Sequence, residues 1–573
     1  MPIRPKDLIY ALDERPPLGH LTLLGLQHVA ALLPYLVLVA IVVTKSGDSS
    51  GVAHNAIALA MIAIAVTTIL QSLRRGPIGS GFLAPPVVSA IYLPPCLLAA
   101  ERGGLPLVCG MIVFAGVFEA LLSWVLPRLR KIFPPVVSGM IVMAVGFELG
   151  LIGVKEFLDQ SVAHAPDSQS MHYLTATVTL AVMVGLSVWA KGLLRLLCAL
   201  LGIVLGYAFA VSVGLLTPDK QQAIAAAPLV GLPNAGFLAY HFDVELVLPF
   251  IIAGLASGLR VIGVVTTCQR INDAGWTRPE MSSIRGGILA DGIGCGLSGL
   301  LGTPGISAAP SLVGLSKASG ATSRSIAWAI GVWLLLLACL PKLATLILTM
   351  PNAVIGAALV FNGSFMLVAG IQILTSRPIN ARTTLVIGIP TLFGLSRQVL
   401  PDFYASLPHW MQPITGSIID ITLIGAVLAN LLFLIGRKRT EVITLSGPTD
   451  IDLEGSRPVQ AIEQQGAAWD VPRDVLTRAK TTVSDLLDLI AAGSSAEGPI
   501  DLRLSYDDFE LTVLMTYQGV LPSLTSDQKP TREMLEEQSF AVGLTGFLSA
   551  LQADRIDRQA HGSACSLKRV FNV

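Results

Sequence analysis

The chain has 573 residues, 53% hydrophobic and 13% charged, whereas soluble domains carry about 25% charged residues. A wholly soluble protein is excluded, and most of the chain is expected in lipid. The 38 Lys and Arg balance 38 Asp and Glu, so the basic surplus that a nucleic-acid binder needs is missing.

The opening residues, MPIRPKDLIYALDERPPLGH, lack an apolar core before a cleavage site, so residues 1–17 read as a cytoplasmic N-terminus. A bilayer core of about 30 Å takes about 20 apolar residues per helix. On that measure residues 18–436 offer fourteen candidate spans, near 20–43, 53–72, 83–99, 104–126, 134–154, 172–190, 193–215, 245–265, 286–301, 304–319, 325–348, 351–373, 381–396 and 413–435. Short cytoplasmic loops collect Lys and Arg. An inside N-terminus places Arg74, Arg75, Lys191, Arg195, Arg270, Arg285, Arg324 and Arg382 on the cytoplasmic side. Both termini are then cytoplasmic. The seven cysteines are scattered, with no CxxC pair, and read as small buried hydrophobes rather than disulfides or zinc ligands.

Two candidate spans are broken. TPGISAAPSLVGLSKAS, Thr303 to Ser319, is interrupted by Pro304, Gly305 and Pro310, and the third candidate carries Pro85, Pro86, Pro94 and Pro95. Free backbone polar groups at membrane depth survive only where protein buries them or they line a cavity. A half-helix N-terminus there offers unpaired N–H donors and partial positive charge, the usual makings of a transporter site. The fifth and twelfth candidates, read from Phe133 and Met350, align without a gap, matching Pro134 with Pro351, Gly139 with Gly356, Gly146 with Gly363 and Gly153 with Gly370. Copies seven spans apart enter the membrane from opposite sides, which predicts a seven-plus-seven inverted repeat, about 18–216 and 245–436, with the two broken segments facing each other near the midplane.

Ionisable groups inside spans mark function. Arg260, in the eighth span, is expected either on the substrate or paired with Asp291 or Glu119. Ser307, Ser311 and Gly314 of the tenth segment, with Pro85 and Val87 of the third, complete a substrate-binding set. Gln27, His28 and Asp291 are the candidates for ion coupling or relay.

GLQHVAALLPYLV, FPPVVSGMIVMAVG, TTCQRINDAGW, RGGILADGIGCGLSGLLGTPG and MPNAVIGAAL resemble the xanthine/uracil permeases, the nucleobase-cation symporter or nucleobase-ascorbate transporter family, over residues 15–436. The resemblance implies an all-α membrane domain of fourteen spans. A core (spans one to four and eight to eleven) would move against a gate (five to seven and twelve to fourteen). It also implies a homodimer in the bacterial inner membrane carrying a purine or pyrimidine with H+ or Na+, and no other cofactor. Where the family's eighth span has Glu and then Ile-Gly-Asp, this sequence has Arg260, Gly263 and Val264. Where its tenth has Glu-Asn-Val-Gly, this one has Ser311, Leu312, Val313 and Gly314. A carboxylate accepts from ring N–H groups, whereas a guanidinium donates to carbonyls and anions. Xanthine or urate is the expected cargo, with an inorganic anion as the alternative and no enzymatic activity.

Residues 437–455 read as a linker and 456–573 as a soluble α/β domain. Its pattern is helical to about 490, alternating like a hairpin over 500–519, helical again over 530–556, and closing with a strand. It resembles a degenerate ATPase-like fold whose nucleotide motifs are replaced by SDLLDLI and by Tyr517, Gln518 and Gly519. That loss weighs against a membrane sensor signalling through the tail.

Overall fold

The computed structural model describes residues 3–520 except 6–7, 48–49, 126–134, 160–165, 192, 277–278, 376–378, 409–410, 412–414, 435–438, 446–455, 470, 472, 493–495 and 508–509, and beyond them 552–553, 555–561 and 564–572. Pro134 and nearly all of the helix expected over 530–556 lie outside the described residues. The chain divides into two compact units, Met1–Asn430 and Leu431–Val573.

The first unit is helical and apolar. Among the described residues, seven helices are long and apolar enough to cross a membrane. The pair Ser325–Ala338 and Pro341–Leu348, bent by 83°, makes an eighth if taken as one span. Cys198–Ser212 and Ile418–Phe433 are apolar but shorter. Proline and glycine cut the longer runs. In the first span Pro34 removes a backbone donor, and the helix Leu18–Leu32 passes through a 3-10 turn, Leu33–Leu36, before Val37–Lys45. Leu93–Val125 breaks at Gly103 and Gly104, whose φ of 67° suits glycine, just before Pro106.

The broken segments hold more regular structure than their prolines and glycines suggest. Each contains a three-residue strand followed by a helix, β1 (Pro86–Val88) before Leu93–Val125 and β2 (Ile306–Ala308) before Pro310–Ala318. The strands pair antiparallel, Pro86 with Ala308, Val87 with Ser307 and Val88 with Ile306. Flanking bonds from Ser89 N to Gly305 O at 2.9 Å and from Ala309 N to Pro85 O at 3.1 Å extend the ladder. Pairing the two breaks with each other satisfies the backbone groups that proline and glycine free from helix.

The helices Pro135–Phe157 and Asn352–Leu374 approach backbone to backbone. A Cβ at Gly146 would lie 2.4 Å from Leu367 N, one at Gly363 2.8 Å from Gly150 Cα, one at Gly153 2.6 Å from Val360 N, and one at Gly370 2.4 Å from Met143 N. Without hydrocarbon as a driving difference, small residues let membrane helices pack this closely.

The second unit is a five-stranded antiparallel sheet in the order β3-β4-β5-β7-β6, formed by β3 (Arg439–Leu445), β4 (Ala496–Tyr506), β5 (Glu510–Gly519), β6 (Arg555–His561) and β7 (Ala564–Asn572). The helix Arg473–Ala492 packs Val475, Ala479, Val483, Leu486 and Ile490 into one core with Leu502, Leu504, Val513, Met515 and Phe571. The alternation over 500–519 folds as the expected hairpin. Part of the expected linker does not: Arg439–Leu445 is an edge strand, because its β-branched Thr, Val and Ile residues suit a largely exposed ladder against Ala496–Tyr506.

Arg569 on β7 is fully buried, and among the described residues none of its three guanidinium nitrogens has a hydrogen-bond partner. Burial, with Arg558 adding, pushes its pKa down to about 10, so it stays charged at neutral pH. An uncompensated buried cation destabilises its surroundings, and an apolar side chain of like shape removes the cost. Arg569→Met is expected to raise the opening free energy of β7, read by amide hydrogen exchange, by about 1–3 kcal/mol. Faster exchange in the variant would contradict this.

Candidate functional site

The β1–β2 crossing is held by groups behind it. Ser257 and Arg260, one turn apart on Val247–Asn272, both reach β2. Arg260 Nη2 donates to Ser307 O at 3.0 Å. Ser257 Oγ lies 2.8 Å from Ser307 Oγ and 3.1 Å from Asp291 Oδ2. Asp291 Oδ1 accepts from the Ala308 N–H at 2.8 Å. The strand is therefore fixed by side chains from two helices.

In front of the crossing lies a small cleft. Tyr35, Val87, Arg260 and Ser311 line it from one side, and Leu149 and Met366, from the helices Pro135–Phe157 and Asn352–Leu374, line it from the other. Arg260 is 5% exposed, and its Nε has no partner among the described residues. Tyr35 Oη and Ser311 Oγ are 3.3 Å apart. The nine-residue helix Pro310–Ala318 starts at this wall with Pro310 in its first turn and no side chain capping it, so its leading N–H groups and positive dipole end are free for a ligand. The cleft thus offers donors, a guanidinium, hydroxyls and a helix N-terminus, against apolar walls. That chemistry suits a ligand bearing carbonyl or anionic oxygens.

Of the residues expected from sequence, Arg260, Ser311 and Val87 meet at the cleft. Ser307 gives its carbonyl to Arg260 while its hydroxyl faces Ser257. Pro85 braces Ala309 through its carbonyl. Gly314 lies one turn past Ser311 on the exposed face of the half-helix, with open space where a Cβ would be. Asp291 sits behind the strand, and among the described residues it forms no ion pair with Arg260. His28 is fully buried and ties the first helix to the half-helix, with Nδ1 2.8 Å from Leu24 O and Nε2 3.0 Å from Ser316 Oγ. Gln27 is buried with its amide nitrogen unpartnered among the described residues, away from the cleft lining. Glu148, beside Leu149, accepts from Ile418 N at 2.9 Å and so caps the helix Ile418–Leu434.

Tyr35, Leu149 and Met366 were missed. Pro34 within an apolar run was the available signal for Tyr35, since the break it causes turns the next side chain out of the helical pattern. Nothing in sequence separates Leu149 or Met366 from other lipid-span apolar residues.

Residues 19–403 match a family model described as a permease family, that of the xanthine and uracil permeases. The xanthine permease XanP of Escherichia coli (strain K12) is 25% identical, the alignment covering 74% of this chain and 95% of that protein. The uric acid permease PucJ of Bacillus subtilis (strain 168) is 26% identical over 73% of this chain and 93% of that protein. Among solved structures, the transmembrane domain of a cyanobacterium bicarbonate transporter, BicA, aligns with 74% of this chain and 99% of its own at 16% identity and a TM-score of 0.46.

Proposed function

This chain belongs to the xanthine/uracil permease family, and from that premise we propose that it is a secondary active transporter of an oxopurine, xanthine or urate. It is an integral membrane permease and not an enzyme. The observation that carries the substrate reading is the buried guanidinium of Arg260, with one face on the Ser307 carbonyl and its Nε unpartnered at a cleft of donors and apolar walls. Oxopurines present ring carbonyls, and urate a negative charge, to such donors. The two relatives named for xanthine and uric acid support the same class.

Transport in this reading is coupled to a cation, H+ or Na+, and proceeds by alternating access in an elevator fashion. Tyr35, Arg260 and Ser311 travel with the core, while Leu149 and Met366 belong to the gate. The inverted repeat has support in the contacts. Exchanging the helices Pro135–Phe157 and Asn352–Leu374 with a shift of 217 residue positions turns the Gly146–Leu367 contact into Gly363–Gly150 and Gly153–Val360 into Gly370–Met143. Such mutual contacts are what a two-fold axis between antiparallel helices produces. The protein in this reading is a homodimer of the bacterial inner membrane with both termini cytoplasmic.

Uptake into vesicles containing the purified protein tests the substrate class. Saturable uptake of xanthine or urate is expected, each competing with the other, with adenine neither carried nor competing. Uptake of inorganic anions alone would sink the purine reading.

A further inference from the structure

Behind the cleft, Leu93–Val125 and Met281–Leu300 touch backbone to backbone. A Cβ at Gly116 would stand 2.2 Å from Gly296 N, and one at Gly292 2.5 Å from Ala120 N. Glu119 and Asp291 are the residues just before Ala120 and Gly292, so this approach sets their carboxyls side by side, and both are fully buried. Tyr92 Oη donates to Glu119 Oε2 at 2.9 Å, while Glu119 Oε1 is buried with no partner among the described residues. Asp291 is better supplied, by the Ala308 N–H and the Ser257 hydroxyl.

The titratable groups facing Glu119 are Asp291 and Cys295 from Met281–Leu300, Tyr92 from the turn between β1 and Leu93–Val125, and Arg260 from Val247–Asn272. Val37–Lys45, also packed on this helix, contributes one titratable side chain, Lys45, which pairs with Glu101 at 2.9 Å. Arg260 bonds neither carboxyl and turns to Ser307 O and the cleft. Two adjacent carboxylates in a dry interior repel strongly, and such pairs share a proton. An ionised Glu119 would leave Oε1 without a hydrogen-bond partner among the described residues. A protonated one has a hydrogen to place on its neighbour.

We propose that the Glu119–Asp291 pair is the proton site of the transport cycle. With the cleft empty, one shared proton leaves the pair singly negative and balanced by Arg260. An anionic oxopurine on Arg260 upsets that balance by one charge, and one proton from the aqueous phase, taken onto the pair, restores it. The inference rests on the oxopurine reading of the cleft and gives it a stoichiometry of one proton per anion. It also supplies a carboxyl site where the eighth and tenth spans carry Arg260 and Ser311.

Titration calorimetry of the purified protein with urate, in two buffers of different ionisation enthalpy, counts the protons taken up on binding. The wild type is expected to take up about one proton per urate and Glu119→Gln close to none. Urate binding without proton uptake in the wild type, or equal uptake in Glu119→Gln, overturns the proposal. A wild type that binds bicarbonate or chloride but no oxopurine sinks the purine reading instead, and the proton count per inorganic anion then tests the pair. Should Glu119→Gln fail to fold, Tyr92→Phe decides: it keeps the carboxyl but removes the donor that favours its charged form. The pH midpoint of proton uptake is expected to move up by about one unit, and an unmoved midpoint counts against the pair.

Discussion

Arg260→Ala is expected to lower the affinity for xanthine or urate by about 100-fold, measured as the ligand concentration needed for half-maximal thermal stabilisation or uptake. The side chain is 5% exposed and lines the cleft, so its bonds to a ligand carbonyl or anion form in a partly dry site. A hydrogen bond to a charged group contributes about 1.5–3 kcal/mol, and two of them, less the reorganisation of the empty site, give a loss of about 3 kcal/mol. Truncation also strips Ser307 O of its donor, which loosens β2. Arg260→Lys separates the two effects. An ammonium keeps the charge but cannot hold Ser307 O and a ligand with one planar fork, so affinity should fall by about tenfold or more while the protein keeps its thermal stability. If Arg260→Ala bound oxopurines as the wild type does, the cleft would not be the site.

Much of this arrangement was legible because the membrane penalises broken backbone. Pro85, Pro86, Pro304 and Pro310 cannot sit in lipid-facing helix, so the segments that carry them had to be buried and paired, and they pair with each other. The matched glycines Gly146 with Gly363 and Gly153 with Gly370 lie where two backbones touch, a steric demand that sequence records directly. Arg260 stood out because a cation inside a span needs a reason. Other parts left no mark. Leu149 and Met366 reach the cleft through the crossing of their helices, and an apolar residue facing a ligand reads like one facing lipid. Glu119 stands out in the sequence as an ionisable residue inside a span, but which residue neighbours it does not. The pairing with Asp291 follows from the Gly116–Gly296 and Ala120–Gly292 approach, a tertiary contact between spans far apart in sequence. The strand Arg439–Leu445 was hidden by the charges of the stretch that precedes it, which suggested a linker.

Gly292→Leu is the substitution expected to cost most in the fold itself. A Cβ there would lie 2.5 Å from Ala120 N and 2.9 Å from both Ala120 Cα and Gly116 O. All three are backbone atoms, so no rotamer change can relieve the clash, and the whole of Leu93–Val125 has to move away. Overpacking a tight interior costs about 1–3 kcal/mol when side chains can adjust, so a backbone displacement should exceed that and sharply reduce the yield of folded protein. The damage would also spread to function, because that movement draws Glu119 from Asp291 and, through Tyr92, pulls on the segment that holds β1. Gly388 provides the control. It lies in Ala381–Val399 with nothing within 4 Å of where a Cβ would stand, and Gly388→Ala should be neutral or stabilising by about 0.5–1 kcal/mol through helix propensity. Folded yield and midpoint of thermal unfolding, measured side by side for the two variants, decide the matter. Equal behaviour would mean that the two helices do not meet at Gly292, and the carboxyl pair would lose the contact that brings it together.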